Sequence, residues 1–277
     1  MDWARAKSII LFLLLVFNIF LLANIIGYAR DRGIPAATIQ NTEKILKSRG
    51  ITLECDIPRD NGELPRLNLN SPAPYSSQLI GKLLGEGYIR GESDNTYING
   101  SKKLTLDGGG LLTYTDKDPA GTLDITRAKT VEKYVRDFLS DKGLAGGSFV
   151  LDGTRADKDG TVELTYLEKY KGYLVYDNYA KVAVSGKGVT GLAYQRRDIA
   201  GLSTVRLTDM AAAYQVLLAN FDGSSPVTII GIDIGYKFEF SQDATSVQSE
   251  HPPAWRVRLK GTPEPLFFSA VDGKPIK

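Results

Sequence analysis

The fold class follows from the stretch TRAKTVEKYVRDFLSDKG, residues 126–143. Apolar residues recur on one face of it at helical spacing, namely Ala128, Val131, Val135, Phe138 and Leu139. Thr126 is suited to cap the amino end, and Gly143 is suited to end the helix in the left-handed conformation. We therefore predict an amphipathic helix that packs against another layer and buries Phe138.

The same arrangement recurs at Thr208, 82 residues after Thr126. We predict a second helix that begins at the Thr208 cap, ends at Gly223 and buries Leu217. Its apolar face consists of Met210, Ala213, Tyr214, Leu217, Leu218 and Phe221. An apolar strand pattern precedes each helix, at residues 111–114 and 192–194.

Strand patterns also follow each helix. After the first helix they occupy residues 148–151, 162–166, 174–179 and 181–185, and after the second 227–234, 236–240, 255–259 and 266–271. Helices packed on antiparallel sheets make an α+β fold. We predict two related units, residues 30–195 with additional N-terminal helices and residues 196–277.

An uncharged apolar run occupies residues 8–29 near the N-terminus. At about 1.5 Å per residue it extends roughly 33 Å, close to the ~30 Å hydrocarbon core of a bilayer. We predict a cytoplasmic tail of residues 1–8, a transmembrane helix of residues 9–29 that serves as a signal-anchor, and an extracytoplasmic C-terminal domain. A signal peptide cleaved after Ala29 is the alternative, although the run exceeds the roughly 7–15 apolar residues of such peptides.

Two amides lie within the apolar run, Asn18 and Asn24. An amide that faces lipid is costly unless it finds a hydrogen-bond partner, often on a neighbouring helix. Both residues are therefore candidate helix contacts. The alternative is that Asn24 is near enough to the surface to be hydrated and that Asn18 is tolerated.

Composition excludes several functional classes. Lys and Arg number 34 against 32 Asp and Glu, a net charge of +2, and no block of like charges is present to follow a nucleic-acid backbone. Cys55 is the only cysteine and His251 the only histidine. An intrachain disulfide and a metal site of the His/Cys type are therefore excluded. His251 stands between Glu250 and Pro252, and we predict a loop there.

Chemical motifs are weak. The letters GKGVTG at 186–191 match a dinucleotide fingerprint, but they run into a strand pattern rather than a helix, so we predict a hairpin turn. A calcium loop at 157–160 is disfavoured because a strand pattern follows at once. Four acidic residues on strands are candidates for a converging glycosidase pair, with solvated strand faces as the favoured alternative: Glu163, Glu168, Asp177 and Glu239. No catalytic, cofactor-binding or metal-binding residue is predicted.

Short motifs near both ends of the chain resemble the YycI family. They are MDWARAK at 1–7, KSRGI at 47–51, PAWRV at 253–257 and FSAVDG at 268–273. The motif residues carried over are Asp2, Trp3, Lys7, Ala254, Trp255, Asp272 and Gly273. The resemblance extends over nearly the whole chain in the order of its elements.

This resemblance implies a membrane-anchored regulator of the YycFG (WalKR) two-component system of Gram-positive bacteria, with a role in cell wall homeostasis. It implies two extracytoplasmic α+β units similar to those of YycH. The implied partners are a sensor histidine kinase of the YycG (WalK) type and a YycH-type protein, and a homodimer is possible. It implies no enzymatic activity. The last two strands also look like the ending of PepSY modules, so the alternative is a module that binds or inhibits an envelope peptidase.

Overall fold

The structure is a computed structural model that describes residues 3–30, 33–59, 63–70, 75–144, 148–157, 159–238 and 250–276, without the side chains of residues 4–6, 8 and 23–30. The helices are α1 (Trp3–Arg30), α2 (Ala36–Ser48), α3 (Ser77–Leu84), α4 (Ala128–Lys142) and α5 (Ala213–Asn220). The strands are β1 (Ile51–Leu53), β2 (Leu64–Leu69), β3 (Ile89–Arg90), β4 (Thr96–Asn99), β5 (Lys102–Leu106), β6 (Leu111–Asp116), β7 (Phe149–Ala156), β8 (Val162–Tyr170), β9 (Tyr173–Ser185), β10 (Gly188–Gln195), β11 (Ile199–Leu207), β12 (Val227–Tyr236), β13 (Glu250–His251), β14 (Pro253–Leu259), β15 (Leu266–Ser269) and β16 (Pro275–Ile276). The predicted α+β class is confirmed, with strands predominating.

The chain divides into two compact units that interleave in sequence. Unit 1 comprises Met1–Leu64, Leu207–Asp233 and Trp255–Lys277, and unit 2 comprises Pro65–Arg206 and Ile234–Ala254. The predicted boundary between residues 195 and 196 does not coincide with this division. The reason lies in strand pairing, because β1 pairs in parallel with β12 and so joins the N-terminal segment to a segment late in the chain.

Unit 1 contains a mixed sheet. Its strands follow the order β16-β15-β14-β12, and β1 pairs with the beginning of β12, Ile51 opposite Val227. Helix α2 buries Ile39, Thr42 and Leu46, which are spaced along one helical face. The helix ends at Ser48, and Gly50, whose φ of 78° favours glycine, lets the chain turn into β1.

The KSRGI motif joins α2 to α5. Arg49 follows α2, and its Nη1 donates to the carbonyl oxygens of Leu218 and Phe221 at 2.8 and 2.9 Å. The last carbonyls of a helix lack partners within it, so this guanidinium caps the C-terminal end of α5. Gly223 lies close by, because a Cβ there would meet the Arg49 carbonyl oxygen at 2.6 Å. The motif therefore has a structural role.

The N-cap of helix α5 is Ala212, four residues after the predicted Thr208 cap, and the helix ends at Asn220 rather than at Gly223. The backbone of Ala211 is engaged elsewhere: its N–H donates to Ala270 O at 2.8 Å, and its carbonyl accepts from Trp255 Nε1 at 2.7 Å. Because these bonds fix Ala211 outside the helix, the helix is capped at the next residue, Ala212. The Ala212 N–H donates to Gln215 Oε1 at 2.8 Å. The prediction that Leu217 is buried is confirmed, since it is fully enclosed.

Unit 2 is built on a large antiparallel sheet. Its strand order is β7-β8-β9-β10-β6-β5-β4-β3, with the long β9 near the middle. The two strands predicted for 174–179 and 181–185 form the single strand β9. The hairpin predicted at 186–191 is confirmed, because β9 and β10 pair directly across it. A second sheet has the order β11-β2-β13.

Helix α4 covers the large sheet of unit 2 and confirms the helix predicted for residues 126–143. It buries Val131, Val135 and Leu139, while Phe138 is partly buried against the same core. Gly143 ends it in the left-handed conformation, as predicted. The Thr126 cap is wrong, since the Thr126 hydroxyl donates to Asp124 instead. Helices α4 and α5 belong to different units, so each packs against the core of its own unit. The structural relationship between the two units stays a prediction.

Candidate functional site

Helix α1 presents apolar side chains to its surroundings. The described apolar residues from Ile9 to Leu22 are each between 41% and 67% exposed. At its start Trp3 is exposed, and the Lys7 ammonium lies 5.9 Å from the centre of the Trp3 ring, a cation–π contact. Judged on the described residues, none of the helices is sufficiently long and apolar to cross a membrane.

Of the two candidate helix contacts, the structure describes one. The Nδ2 of Asn18 donates to Leu14 O, one turn earlier, at 2.8 Å. The amide thus has a hydrogen bond within its own helix. The side chain of Asn24 and the whole of Asp2 lie outside the described residues.

The motif residues near the C-terminus have structural roles. Trp255, Asp272 and Gly273 belong to unit 1, and Ala254 is the last residue of unit 2. Ala254 and Trp255 are buried, and Trp255 holds the segment before α5 through Ala211. Asp272 and Gly273 form the turn between β15 and β16, where Gly273 has a φ of 72°. The carbonyl of Gly273 accepts from Asn220 Nδ2 at 2.8 Å and so ties this turn to α5.

Those acidic strand residues that the structure describes are each paired with a cation or an amide. Glu168 is buried and accepts from Arg196 Nε and Nη2 at 3.2 Å each, and from Asn178 Nδ2 at 2.7 Å. Glu163 lies 3.7 Å from the Arg155 guanidinium. These two carboxylates on β8 therefore serve ion pairs, and Glu239 lies outside the described residues.

Asp177 is a second buried carboxylate of this set. Its Oδ1 accepts from Lys237 Nζ at 3.0 Å and its Oδ2 from the Phe238 N–H at 2.7 Å. Burial raises the pKa of Asp177 above its usual range, and the charge of Lys237 together with the two hydrogen bonds offsets only part of that effect. The folded chain therefore holds this proton more tightly than the unfolded chain does.

This raised pKa predicts a pH dependence of stability. The folded state binds the Asp177 proton more tightly, so the contribution of Asp177 to stability is present below the ordinary carboxyl pKa and is lost as pH rises through the raised one. We expect the free energy of unfolding of the parent, minus that of Asp177→Asn, to fall as pH rises above the ordinary carboxyl pKa of about 4. Denaturant titrations of the full chain in detergent at several pH values measure it.

The control for this prediction has the opposite sign. Hydrogen bonds from the Thr161 side chain and backbone lower the pKa of Asp159 in the exposed β7–β8 turn. For Asp159→Asn the same difference should therefore rise with pH below the ordinary carboxyl pKa. A difference for Asp177→Asn that stays flat or rises over its window would contradict the burial argument.

His251 does not lie in a loop, which corrects the prediction. It belongs to β13, where it pairs with Leu67 of β2. Its ring is buried, with its centre 5.4 Å from that of Phe238. Across the residues that the structure describes, no three His, Cys, Asp or Glu side chains are grouped to hold a metal ion.

A pocket of about 410 Å³ lies in unit 2, and Arg196, the ion-pair partner of Glu168, is part of its lining. Residues from separate segments line it: Tyr75 before α3, Lys82 in α3, Lys142 at the end of α4, and Arg196 and Arg197 after β10. The Tyr75 hydroxyl donates to Gly110 O at 2.7 Å, and its ring centre is 6.2 Å from that of Tyr194. Burial raises the pKa of Tyr75, and of Tyr194 to about 12, so both phenols stay protonated.

Sequence reasoning missed this pocket. Its residues are far apart in the chain, and none stands in a recognisable motif. The adjacent pair Arg196-Arg197 was the only local signal, and two consecutive basic residues after a strand are ordinary at a protein surface. Only the fold brings them to Lys82 and Lys142.

Comparison with protein families identifies the chain. The model of the family described as YycI protein matches residues 34–270, most of the sequence. The chain belongs to the YycI family. YycI is a regulatory family rather than a known enzyme family, and membership indicates a regulatory role in the YycFG system. The match includes Ala254 and Trp255 of the motif residues, whereas Trp3 and Gly273 lie beyond its ends.

Comparison with other proteins adds little to this YycI-family assignment. Among solved structures, the C-terminal domain of YpeB from Bacillus megaterium is similar, at 14% sequence identity and a TM-score of 0.40. The similarity covers 74% of this chain and 97% of that one. No curated protein matches the YycI-family chain.

Proposed function

We propose that this YycI-family chain is a membrane-anchored accessory regulator of an essential sensor histidine kinase of the YycG (WalK) type, acting together with a YycH-type protein. The family match over residues 34–270 carries the proposal. In it, α1 spans the cell membrane once, with the N-terminus in the cytoplasm and the remaining domain outside. Contacts between proteins, rather than catalysis, transmit the regulation.

Two features of α1 support the membrane anchor. The described apolar side chains from Ile9 to Leu22 are exposed, and an apolar surface that encircles a helix needs lipid or protein around it. The uncharged run continues in the sequence to Ala29, past the last described side chain, and reaches the length of a spanning segment.

Asn18 supports a contact between α1 and another helix. Its hydrogen bond to Leu14 O uses only one of its two amide N–H groups. The other N–H and the Oδ1 can therefore bond to a neighbouring helix. Within lipid such a bond contributes about 0.6–2 kcal/mol. The polar contact is therefore strongest where the surrounding medium offers no water to compete.

We expect α1 to carry the regulatory contact with the kinase. Replacing residues 9–26 by an unrelated apolar helix of equal length should change YycFG-dependent transcription, measured with a reporter in cells whose own copy is deleted. Asn18→Leu should give part of the change, because losing about 0.6–2 kcal/mol weakens helix association about 3- to 30-fold. Quantitative immunoblotting of membranes confirms equal protein levels.

A matched variant tests whether the amide must be at position 18 or can lie elsewhere on the same face of α1. The double substitution Leu14→Asn with Asn18→Leu keeps the composition of α1 and moves the amide one turn along the same face. It should behave like Asn18→Leu if the contact is specific. Transcription that is unaltered by the whole-helix replacement would show that the C-terminal domain transmits the signal and that α1 is only an anchor.

A further inference from the structure

We propose that the pocket in unit 2 binds a neutral saccharide of one or two rings, held by hydrogen bonds to its charged lining and by contact with its aromatic wall. The volume of about 410 Å³ falls in the usual range for small-molecule sites. The proposal concerns unit 2 alone, and it does not depend on the role of α1 or on the regulation of a kinase.

The two arginines of the pocket are already engaged. Arg196 donates through Nε and Nη2 to Glu168, and through Nη1 to Asp198 Oδ1 at 2.9 Å. Arg197 also has a partner. Neither guanidinium therefore supplies a charge that only a bound anion would neutralise.

The two lysines of the pocket lie where two helices end. Lys82 is in the last turn of α3 and Lys142 in the last turn of α4. The Nζ of Lys82 is 3.5 Å from the point that a Cβ on Gly143 would occupy, so it is close to the end of α4 as well. The C-terminal end of each helix carries about half of a negative charge, which stabilises a lysine there.

Carboxylates add to this compensation. Burial, and after it repulsion by Lys102, lowers the pKa of Lys142, whereas the carboxylate of Asp141 raises it. Lys102 itself stands opposite Asp116 in the β5–β6 pair. Within the described part of the chain, the pocket thus has no excess of positive charge that would select an anion over a neutral ligand.

Although its charges are balanced, the pocket presents hydrogen-bonding groups in fixed positions. Asn178 holds the backbone of Arg197 from both sides, because its Oδ1 accepts from the Arg197 N–H and its Nδ2 donates to Arg197 O, each at 2.8 Å. Asp198 contributes carboxylate oxygens to the lining, and the lysines contribute ammonium donors. A hydroxyl group both donates and accepts, so a sugar can bond to both kinds of group. Groups that are fixed before binding lose little entropy when it occurs.

An apolar wall completes the pocket. It consists of Tyr75, Leu79, Leu144 and Tyr194. The ring centres of Tyr75 and Tyr194 are 6.2 Å apart, and Phe149 stacks on Tyr194 at the same distance, so the rings support one another. The face of an aromatic ring carries partial negative charge, and the C–H groups of a sugar ring carry partial positive charge. The wall therefore suits one face of a sugar, while the charged lining suits its hydroxyl groups.

The position of the pocket in the fold favours a compact ligand over an extended peptide. A peptide that joins a sheet needs an unpaired strand edge. The strand that supplies Tyr194 is β10, and it pairs with β9 on one side and with β6 on the other. The rest of the described lining comes from α3, from the end of α4 and from connecting segments.

The site can be tested on the full chain by saturation-transfer difference NMR with glucose, maltose, N-acetylglucosamine and diacetylchitobiose. A polyoxyethylene detergent is used, because it has no sugar headgroup. We expect saturable binding of at least one probe, with Lys82→Met weakening it about tenfold through loss of a charge-assisted hydrogen bond. Tyr75→Leu should also weaken binding about tenfold, whereas Tyr75→Phe keeps the ring and should retain most of the affinity.

The matched control is Lys129→Met, which removes an exposed lysine of α4 that is not part of the pocket lining. Lys82 is exposed too, so its substitution does not disturb the core and remains decisive if Tyr75→Leu fails to fold. Circular dichroism verifies the fold of each variant.

Ionic strength separates a neutral ligand from an anion. Added salt should leave the affinity for the saccharide unchanged, since salt screens interactions between charges and the ligand has none. Sodium phosphate is the anionic probe and should bind more weakly. The proposal is overturned if no saccharide binds at millimolar concentration, if phosphate binds more tightly than every saccharide, or if Lys129→Met weakens binding as much as Lys82→Met does.

Discussion

Replacing Trp255 by alanine is expected to lower the free energy of unfolding by about 3–5 kcal/mol, the range for large aromatic residues in a core. Trp255 is only 2% exposed, and its Nε1 donates to Ala211 O at 2.7 Å. The substitution therefore leaves both a cavity and a backbone carbonyl without its donor. Because that carbonyl belongs to the segment before α5, the start of this helix should become less stable as well.

A second substitution at Trp255 separates the loss of apolar volume from the loss of the hydrogen bond, and a substitution at an exposed residue serves as the control. Trp255→Phe retains most of the apolar volume and loses the hydrogen bond, so it should cost about 1–3 kcal/mol. Val205→Ala removes an apolar side chain that is 74% exposed, and it should change stability by less than about 0.5 kcal/mol. Denaturant titrations followed by circular dichroism measure all three. A loss for Trp255→Ala no larger than that for Val205→Ala would refute the structural role of this motif residue.

The second large effect is expected at Glu168. Glu168→Ala removes one of the two carboxylates of Arg196 and the acceptor of one N–H of Asn178, a fully buried residue whose Nδ2 also donates to Arg197 O. A buried donor without a partner is costly, so we expect a loss of about 2–3 kcal/mol in the free energy of unfolding. The loss should stay below that of a fully buried ion pair, since water screens the Arg196 side chain, which is 37% exposed.

Glu163 on the same strand β8 provides the matched control. It lies 3.7 Å from Arg155, whose side chain is 53% exposed, so Glu163→Ala should cost less than about 0.5 kcal/mol. Glu168→Gln keeps an oxygen acceptor for Asn178 and should fall between the two alanine variants. A double-mutant cycle of Glu168→Ala with Arg196→Met measures the interaction free energy between these two side chains. Equal losses for Glu168→Ala and Glu163→Ala would contradict the proposed importance of the buried network.

The structure also changes what the carboxylates signify. From the sequence, Glu168 and Asp177 are two acidic residues on strands with no indication of their partners. In the fold, Glu168 positions Arg196 beside the pocket, and Asp177 binds Lys237 and the backbone of Phe238. Their burial is explained by these pairings, because a buried charge requires a partner and hydrogen bonds.

The sequence by itself determined the features that are encoded within a short window. The helix at residues 126–143, its end at Gly143 and the hairpin at 186–191 follow from periodicity and from the conformational freedom of glycine. Motifs at the two ends of the chain were sufficient to indicate the family, which the match over residues 34–270 then established. The α+β class followed from the alternation of helical and strand periods.

Only the tertiary structure decided the features that depend on residues far apart in the chain. The start of α5 is set by hydrogen bonds of Ala211 to Ala270 and Trp255, which override the local capping signal of Thr208. The interleaving of the units follows from the pairing of β1 with β12, and the pocket of unit 2 from the convergence of separate segments. Such contacts leave no local trace, because each partner alone resembles an ordinary turn, strand or surface residue and acquires its role only when the chain folds.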